Sequence, residues 1–171
     1  YQVMNASLAL TAMEVLKDKL PVGMEQLQAG IKNTRWQGRM ETILPGVIVD
    51  GAHNEDGVRR FVETAERFQE EYPLTLLFSA VNDKDYQDMI HTICSRIRFR
   101  KVVTTEVGGY REVPSARLAE IFRKEGCREV GNSDNIEEAF HMACEAKGED
   151  GMLFCVGSLY LVGEIKALLQ K

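Results

Sequence analysis

The sequence lacks the short motifs by which many nucleotide-binding and metal-binding proteins are recognised. It contains neither a GxxxxGK[ST] phosphate loop nor a GxGxxG dinucleotide fingerprint. It has no CxxC pair, and its three histidines lie far apart, which disfavours a zinc site. No apolar run approaches the roughly 18 residues of a membrane span, and no signal peptide is visible. A dinucleotide oxidoreductase, a zinc protein and a membrane protein are therefore disfavoured.

The chain also lacks an excess of basic residues. Its net charge is -5 over 171 residues, whereas a nucleic-acid-binding face should be basic. Nucleic acid is therefore not an expected partner. The four cysteines each lie in or beside an apolar segment: Cys94, Cys127, Cys144 and Cys155. Scattered cysteines of this kind are typical of reduced, buried thiols in a cytoplasmic protein.

What the sequence does contain is a regular alternation of helical and strand patterns. Apolar spacing predicts helices over residues 1–18, 24–32, 54–71, 85–98, 114–125, 133–147 and 159–171. Short apolar runs bounded by turn residues predict strands over 40–44, 47–50, 74–81, 101–107, 128–130 and 152–157. Ser133 or Asp134 is expected to cap the sixth helix, with Glu137 completing a capping box.

This order predicts an α/β fold with a mostly parallel, doubly wound sheet between two layers of helices. The two helices over residues 1–35 form a short N-terminal helical segment with its linker, and residues 36–171 form the α/β domain. In such sheets, ligands bind beyond the carboxyl ends of the strands. The functional residues are therefore expected in the loops that follow the strands.

The strongest candidate loop is DGAHN, residues 50–54, between a strand and a helix. Asp50 offers an acceptor to hydroxyl groups, His53 offers a ring with donor and acceptor atoms, and Asn54 can cap the helix. The alternative is an ordinary strand-to-helix loop, with Asn54 as the cap and His53 exposed. The residues alone leave both interpretations open.

Four segments resemble one family of enzymes. Trp36–Asn54, WQGRMETILPGVIVDGAHN, resembles the start of the C-terminal domain of folylpolyglutamate synthases and dihydrofolate synthases, members of the Mur ligase superfamily. Phe78–Met89, FSAVNDKDYQDM, and Gly157–Lys166, GSLYLVGEIK, are similar to two later motifs of that family. Asn5-Ala6 is similar to the helix that ends its central domain, so the resemblance implies that residues 1–35 are a helical remnant of that central ATPase domain with its linker. Gln37 replaces the usual proline, a change expected to leave Arg39 in place.

The resemblance implies a fold, an activity and a set of contacts. The fold would be the Rossmann-like C-terminal domain of a Mur ligase, and the activity ATP-dependent amide formation between a folate and L-glutamate through an acyl phosphate. The residues that would contact ATP are Asn5, Arg39, Asp50, His53 and Asn54, with Asp50 accepting hydrogen bonds from the ribose hydroxyls. The residues that would bind the carboxylate of glutamate are Lys84 and Ser158. No residue of the chain is assigned a catalytic role or a metal, and the Mg²⁺ ligands are expected in N-terminal domains that would precede Tyr1.

Other interpretations of these residues remain open. Arg39 could be a surface residue, Lys84 could neutralise its polar turn, and Ser158 could cap the last helix. The whole chain could come from a different Mur-type ligase, or be a nucleotide-binding module without catalysis. As a fragment, the isolated chain is expected to be inactive, and the protein is expected to be a cytoplasmic monomer.

Overall fold

The structure is a computed structural model that describes residues 2–34, 36–109 and 112–170. The backbone divides into two compact units, Tyr1–Gln37 and Gly38–Lys171. The first unit holds α1 (Gln2–Leu16) and α2 (Met24–Asn33). The predicted first helix ends two residues early, because the backbone turns over residues 17–20, ahead of Pro21. Large apolar side chains of α1 are exposed in this unit, among them Val3 and Val15.

The second unit alternates strands and helices, as predicted. Its strands are β1 (Glu41–Leu44), β2 (Val47–Val49), β3 (Leu74–Phe78), β4 (Phe99–Thr104), β5 (Val130–Asn132) and β6 (Met152–Val156). Its helices are α3 (Glu55–Ala65), α4 (Tyr86–Arg96), α5 (Ser115–Lys124), α6 (Ile136–Lys147) and α7 (Leu159–Leu168). A short 3-10 turn, Glu66–Glu70, extends α3. Among the described residues, no helix is long and apolar enough to cross a membrane.

The six strands form one sheet in the order β1-β2-β6-β3-β4-β5. β1 pairs with β2 in an antiparallel hairpin, and all other pairs are parallel. The central strands β3 and β6 are apolar along nearly their whole length because both of their faces are covered. The predicted fold class, a mostly parallel doubly wound sheet, is confirmed.

Neighbouring side chains on one strand enter different halves of the core. Leu76 and Phe154 pack in the layer that holds α3, α4 and α5. Leu77 and Cys155 pack in the opposite layer, against α6 and α7. This alternation follows from the two-residue period of a strand. Each large side chain that is fully buried stabilises the fold by about 1.5–3 kcal/mol.

The predicted positions of β4 and β5 and the predicted cap of α6 are wrong. β5 was expected at residues 128–130 but begins at Val130, and β4 was expected at 101–107 but spans Phe99–Thr104. The cap of α6 is Asn135, whose side chain accepts a hydrogen bond from the Glu138 amide, so neither Ser133 nor Asp134 is the cap. The bounds of a short strand depend on where the neighbouring strand pairs with it. Val102 pairs with Val130, and no local sequence pattern predicts that pairing.

Candidate functional site

The carboxyl ends of the five parallel strands meet at one edge of the sheet, here called the carboxyl edge. β6 lies between β2 and β3. The helices after β2 and β3 pack on one face of the sheet, and the helix after β6 packs on the other. Loops that diverge to opposite faces leave a crevice between them, which is the usual ligand site of such sheets. The loops over residues 50–54, 79–85 and 157–158 follow β2, β3 and β6, so all three lie at the carboxyl edge.

Asp50 is the first residue after β2, and its side chain holds two pieces of backbone together. The residue is 1% exposed. Oδ1 accepts a hydrogen bond from the Ala52 amide at 2.9 Å, and Oδ2 accepts one from the Met40 amide at 2.8 Å. Met40 has a φ of 45°, a left-handed conformation that is uncommon outside glycine. Asp50 therefore braces the turn before β1 against the loop after β2.

The same turn, residues 38–41, is fixed at two further points. The Gly51 amide donates to the Gly38 carbonyl at 2.7 Å, and the Gly38 amide donates to Glu41 Oε2 at 2.7 Å. The Glu41 carboxylate also accepts a hydrogen bond from the Lys166 ammonium at 2.8 Å. That ion pair lowers the pKa of Glu41, and the Gly38 amide lowers it further. Arg39 is therefore carried on a turn whose backbone is tightly constrained.

Arg39 itself is half-buried. Within the part of the chain that the structure describes, its guanidinium has no hydrogen-bond or ion-pair partner. A planar guanidinium on a fixed backbone is well suited to phosphate oxygens.

His53 and Asn54 complete the loop after β2. His53 Nδ1 lies 2.7 Å from the Gly51 carbonyl oxygen, so Nδ1 carries a proton and donates it there. Asn54 caps α3, and its Oδ1 accepts a hydrogen bond from the Gly57 amide at 2.8 Å. The first turn of α3 also contains Glu55 and Asp56. Their negative charge makes this helix start a poor site for phosphate, so Arg39 is the stronger anion-binding group.

The end of β6 is packed too closely for any residue but glycine. Gly157 has a φ of 109°, and a Cβ built on it would lie 2.1 Å from the Ser79 carbonyl oxygen. Ser158 follows, 2% exposed, and its Oγ accepts a hydrogen bond from the Tyr160 amide at 3.1 Å. Ser158 is therefore the cap of α7, which confirms one of the two interpretations of this residue.

The loop after β3 is different, because its charged residues are exposed. The Lys84 amide donates to the Val81 carbonyl at 3.3 Å and closes a turn. Asp85 caps α4 by accepting a hydrogen bond from the Asp88 amide at 3.3 Å. The Lys84 side chain is exposed and, among the described residues, makes no hydrogen bond or ion pair. It is the cation of this loop that is open to an anionic ligand.

A polar cluster at the ends of β4 and β5 was missed by sequence reasoning. The buried Ser115 donates its hydroxyl proton to Asp134, accepts a hydrogen bond from Asn132 at 3.2 Å, and donates its amide to Glu106 at 3.3 Å. Burial raises the pKa of Glu106, and the charge of Asp134 adds to the rise. Thr104 and Asn132 are paired strand ends, and each is followed two residues later by an acid. That repeated spacing could have revealed the cluster.

Residues 38–159 match the family described as Mur ligase, glutamate ligase domain. The chain belongs to this family. The matched segment contains six of the seven predicted site residues, since only Asn5 lies outside 38–159. Asn5 lies in α1, in the other unit, and its role stays a prediction.

The relatives of this Mur ligase domain carry the names that the motifs suggested. The chain is 31% identical over 180 residues to the dihydrofolate synthase/folylpolyglutamate synthase of Bacillus subtilis, and the match covers 99% of this chain and 39% of that protein. It is 26% identical over 188 residues to a probable dihydrofolate synthetase of Schizosaccharomyces pombe, covering 99% of this chain and 43% of that protein. The resemblance drawn from the motifs is confirmed. The chain spans about two-fifths of the length of these relatives.

Solved structures agree with the fold of the Mur ligase domain. E. coli FolC in complex with DHPP and ADP superposes with a TM-score of 0.86 at 19% identity, covering 97% of this chain and 38% of that one. The folylpolyglutamate synthase of Thermotoga maritima superposes with a TM-score of 0.73 at 27% identity, covering 99% of this chain and 38% of that one. The sheet and its two helix layers are therefore those of known ligase structures.

Proposed function

We propose that this chain is the C-terminal domain of an ATP-dependent ligase that forms an amide bond between a folate carboxylate and L-glutamate. The observation that carries the proposal is the family match over residues 38–159, together with relatives named as folylpolyglutamate and dihydrofolate synthases. Because the chain spans only part of those relatives, the activity belongs to a longer protein.

The proposed reaction has two steps. The folate carboxylate attacks the γ-phosphorus of ATP, ADP leaves, and an acyl phosphate forms. The amine of glutamate then attacks the acyl carbon, the C–O bond to phosphate breaks, and the amine loses a proton. Such chemistry depends on positioning and on neutralising phosphoryl oxygens rather than on covalent catalysis by the protein.

Arg39 is the group of this chain that we assign to the phosphates of ATP. Its turn is held by the carboxylates of Asp50 and Glu41, so the backbone that carries the guanidinium is fixed before ligand arrives. Pre-organised cations lose little free energy in reorganisation when charge develops on the substrate. The contacts of Asp50 favour a positioning role over a direct hydrogen bond to ribose. Contacts of Asn5, His53 and Asn54 with the nucleotide remain part of the proposal.

Lys84 is the group that we assign to a carboxylate of the incoming glutamate. Lys84 is exposed on the loop after β3, and β3 lies next to β6 in the sheet. The hydroxyl of Ser158 is buried and already used as a helix cap. Ser158 therefore acts by fixing the start of α7, and any contact that it makes with glutamate is secondary to that of Lys84.

The Mg²⁺ that accompanies ATP would be held elsewhere in the protein. Over residues 2–34, 36–109 and 112–170, no group of three His, Cys, Asp or Glu side chains is arranged to hold a metal ion. When bound, Mg²⁺ neutralises phosphate oxygens, a task in which Arg39 would assist. All four cysteines have free thiols, which favours a reducing compartment such as the cytoplasm.

The test is an assay of the full-length enzyme with ATP, L-glutamate, and either tetrahydrofolate or dihydropteroate. We expect ADP release that requires glutamate together with at least one of the two acceptors, and the acceptor separates polyglutamation from dihydrofolate synthesis. Arg39→Ala should lower the rate at least tenfold, about 1.4 kcal/mol in the barrier. The matched control is Arg117→Ala, on the exposed side of α5. Absence of ADP release with both acceptors would refute the proposed substrates.

A further inference from the structure

A pair of cysteines lies on the opposite side of the domain from Lys84. Cys94 is near the end of α4, and Cys127 follows the end of α5. Their Sγ atoms are 3.6 Å apart, although the residues are separated by 33 positions in sequence. α4 starts beside the carboxyl edge with Tyr86 and runs away from it. The pair is therefore remote from the candidate ligand site.

We propose that Cys94 and Cys127 form a dithiol–disulfide redox site, which a peroxide oxidises and a small dithiol reduces. The proposal is independent of the proposed ligase activity. A disulfide needs an S–S distance of about 2.05 Å, so the two sulfurs must approach by about 1.5 Å. Cys127 lies in a connecting segment outside any helix or strand. The proposed closure therefore moves the segment of Cys127 rather than α4.

The two thiols differ in a way that gives each a separate role. Cys94 is 5% exposed, whereas Cys127 is half-buried. The hydrogen bond between the two thiols raises the pKa of Cys94 and lowers the pKa of Cys127. The nearby Arg98 guanidinium lowers the pKa of Cys127 further. Cys127 is therefore the accessible nucleophile, and Cys94 is the protected thiol that resolves it.

The chemistry balances with one peroxide for each disulfide. The Cys127 thiolate attacks one peroxide oxygen, the O–O bond breaks, hydroxide leaves, and Cys127 becomes a sulfenic acid. Cys94 sulfur then attacks Cys127 Sγ, the S–O bond breaks, and the leaving hydroxide takes the Cys94 proton. Two thiols lose two electrons in total, and hydrogen peroxide is reduced to two molecules of water.

The other two cysteines serve as internal controls. Cys155 is fully buried, and burial raises its pKa well above the ordinary value. Burial also raises the pKa of Cys144. Both thiols should therefore react more slowly than Cys127.

The tryptic map of the chain separates all four cysteines. Cleavage after lysine and arginine places them in residues 85–96, 125–128, 129–147 and 148–166. The intact protein is treated with hydrogen peroxide, its remaining thiols are blocked with N-ethylmaleimide, and it is digested without reduction. Mass spectrometry should find residues 85–96 linked to residues 125–128, and dithiothreitol should release them.

Cys144→Ala should leave this crosslink in place, whereas Cys94→Ala should abolish it. The oxidised wild type should also unfold at a temperature about 5 °C or more above the reduced protein, because the bridge closes a loop between α4 and the segment after α5. Cys94→Ala should show no such rise. The proposal is overturned if Cys127 is found blocked or over-oxidised with no linked peptide, or if oxidation lowers the unfolding temperature.

Discussion

The two halves of the carboxyl edge are built on different principles. Around β2 and β6, the polar groups of Asp50 and Ser158 are buried and bonded to backbone amides. Around β3, Lys84 is exposed on a short turn. The first half fixes the backbone that carries a binding group such as Arg39. The second half presents the side chain of Lys84 directly to a ligand. Mutations in the first half should therefore change folding stability and activity together, and mutation of Lys84 should change activity alone.

The largest effect on folding is expected at Gly157. In Gly157→Ala the new Cβ would meet the Ser79 carbonyl oxygen at 2.1 Å and the Phe78 ring at 2.7 Å, with φ at 109°. We expect a loss of at least about 3 kcal/mol in the free energy of unfolding. Urea unfolding of the chain measures it.

The matched control is Gly163→Ala in α7, where a Cβ would meet nothing within 4 Å. A helical alanine in open space should stabilise the chain by up to about 1 kcal/mol. If both alanines are tolerated equally, the close approach of β3 and β6 described here is wrong.

The second largest effect is expected at Asp50. Asp50→Ala removes the acceptor of two backbone amides, those of Met40 and Ala52, and should cost about 2–4 kcal/mol. In the full-length enzyme, ligase activity should fall at least tenfold, about 1.4 kcal/mol in the barrier. Urea unfolding and the ligase assay are both needed. Asp56→Ala removes an exposed ion pair with Arg59 and a favourable charge at the start of α3, and should lower the urea midpoint far less than Asp50→Ala.

The two measurements on Asp50 separate two roles. If Asp50 acts as a brace, Asp50→Ala should lower both the free energy of unfolding and the ligase activity. If Asp50 contacts ribose directly, Asp50→Ala should lower the activity while the free energy of unfolding stays near that of the wild type. The second outcome would contradict the positioning role and restore the interpretation that the DGAHN motif suggested.

The fold was largely predictable from sequence because its signals are local. Apolar periodicity, Pro21 and the cap residues locate the helices, and the apolar runs locate β3 and β6. The bounds of β4 and β5 were not predictable, because short strands end where a neighbour stops pairing with them. The distribution of the site residues along the carboxyl edge followed from the order of elements alone.

The chemistry of each site residue was less predictable than its position. Asp50 was predicted as the last residue of the strand and lies directly after β2, but its bond to Met40 spans 10 residues and depends on the turn before β1. Ser115 belongs to helix α5 by sequence, and only the fold brings Asn132 and Asp134 to its hydroxyl. Contacts between separate loops carry no local pattern, so the sequence predicted which loops matter and not which side chains would already be bonded.

A smaller effect is expected for the ion pair that holds the turn of Arg39. Glu41→Gln weakens the contact with Lys166 and should cost about 1 kcal/mol near neutral pH, because both side chains are partly buried. The hydrogen bond from Lys166 lowers the pKa of Glu41 below its ordinary value of 4.5. The stabilisation is therefore complete above pH 4.5 and is lost as the pH falls through the lower pKa of the folded state.

Urea unfolding at several pH values measures this dependence. The difference between wild type and Glu41→Gln should shrink as the pH falls below 4.5. Glu120→Gln on α5, whose ion pair with Arg117 is exposed, is the control and should show little difference at any pH. A difference for Glu41→Gln that persists in acid would show that the ionised carboxylate is not what holds the turn.

The smallest effect on folding is expected at Lys84, and this prediction tests the comparison most directly. Lys84→Ala removes an exposed side chain that has no partner among the described residues, so the free energy of unfolding should change by less than about 0.5 kcal/mol. A charge-assisted hydrogen bond to a carboxylate contributes about 1.5–3 kcal/mol. The KM for L-glutamate in the full-length enzyme should therefore rise at least tenfold, while the KM for ATP stays within twofold. Lys124→Ala, exposed at the end of α5, should change neither constant. An unchanged KM for glutamate in Lys84→Ala would mean that this lysine only neutralises Asp83 and Asp85, and that the loop after β3 does not bind glutamate through it.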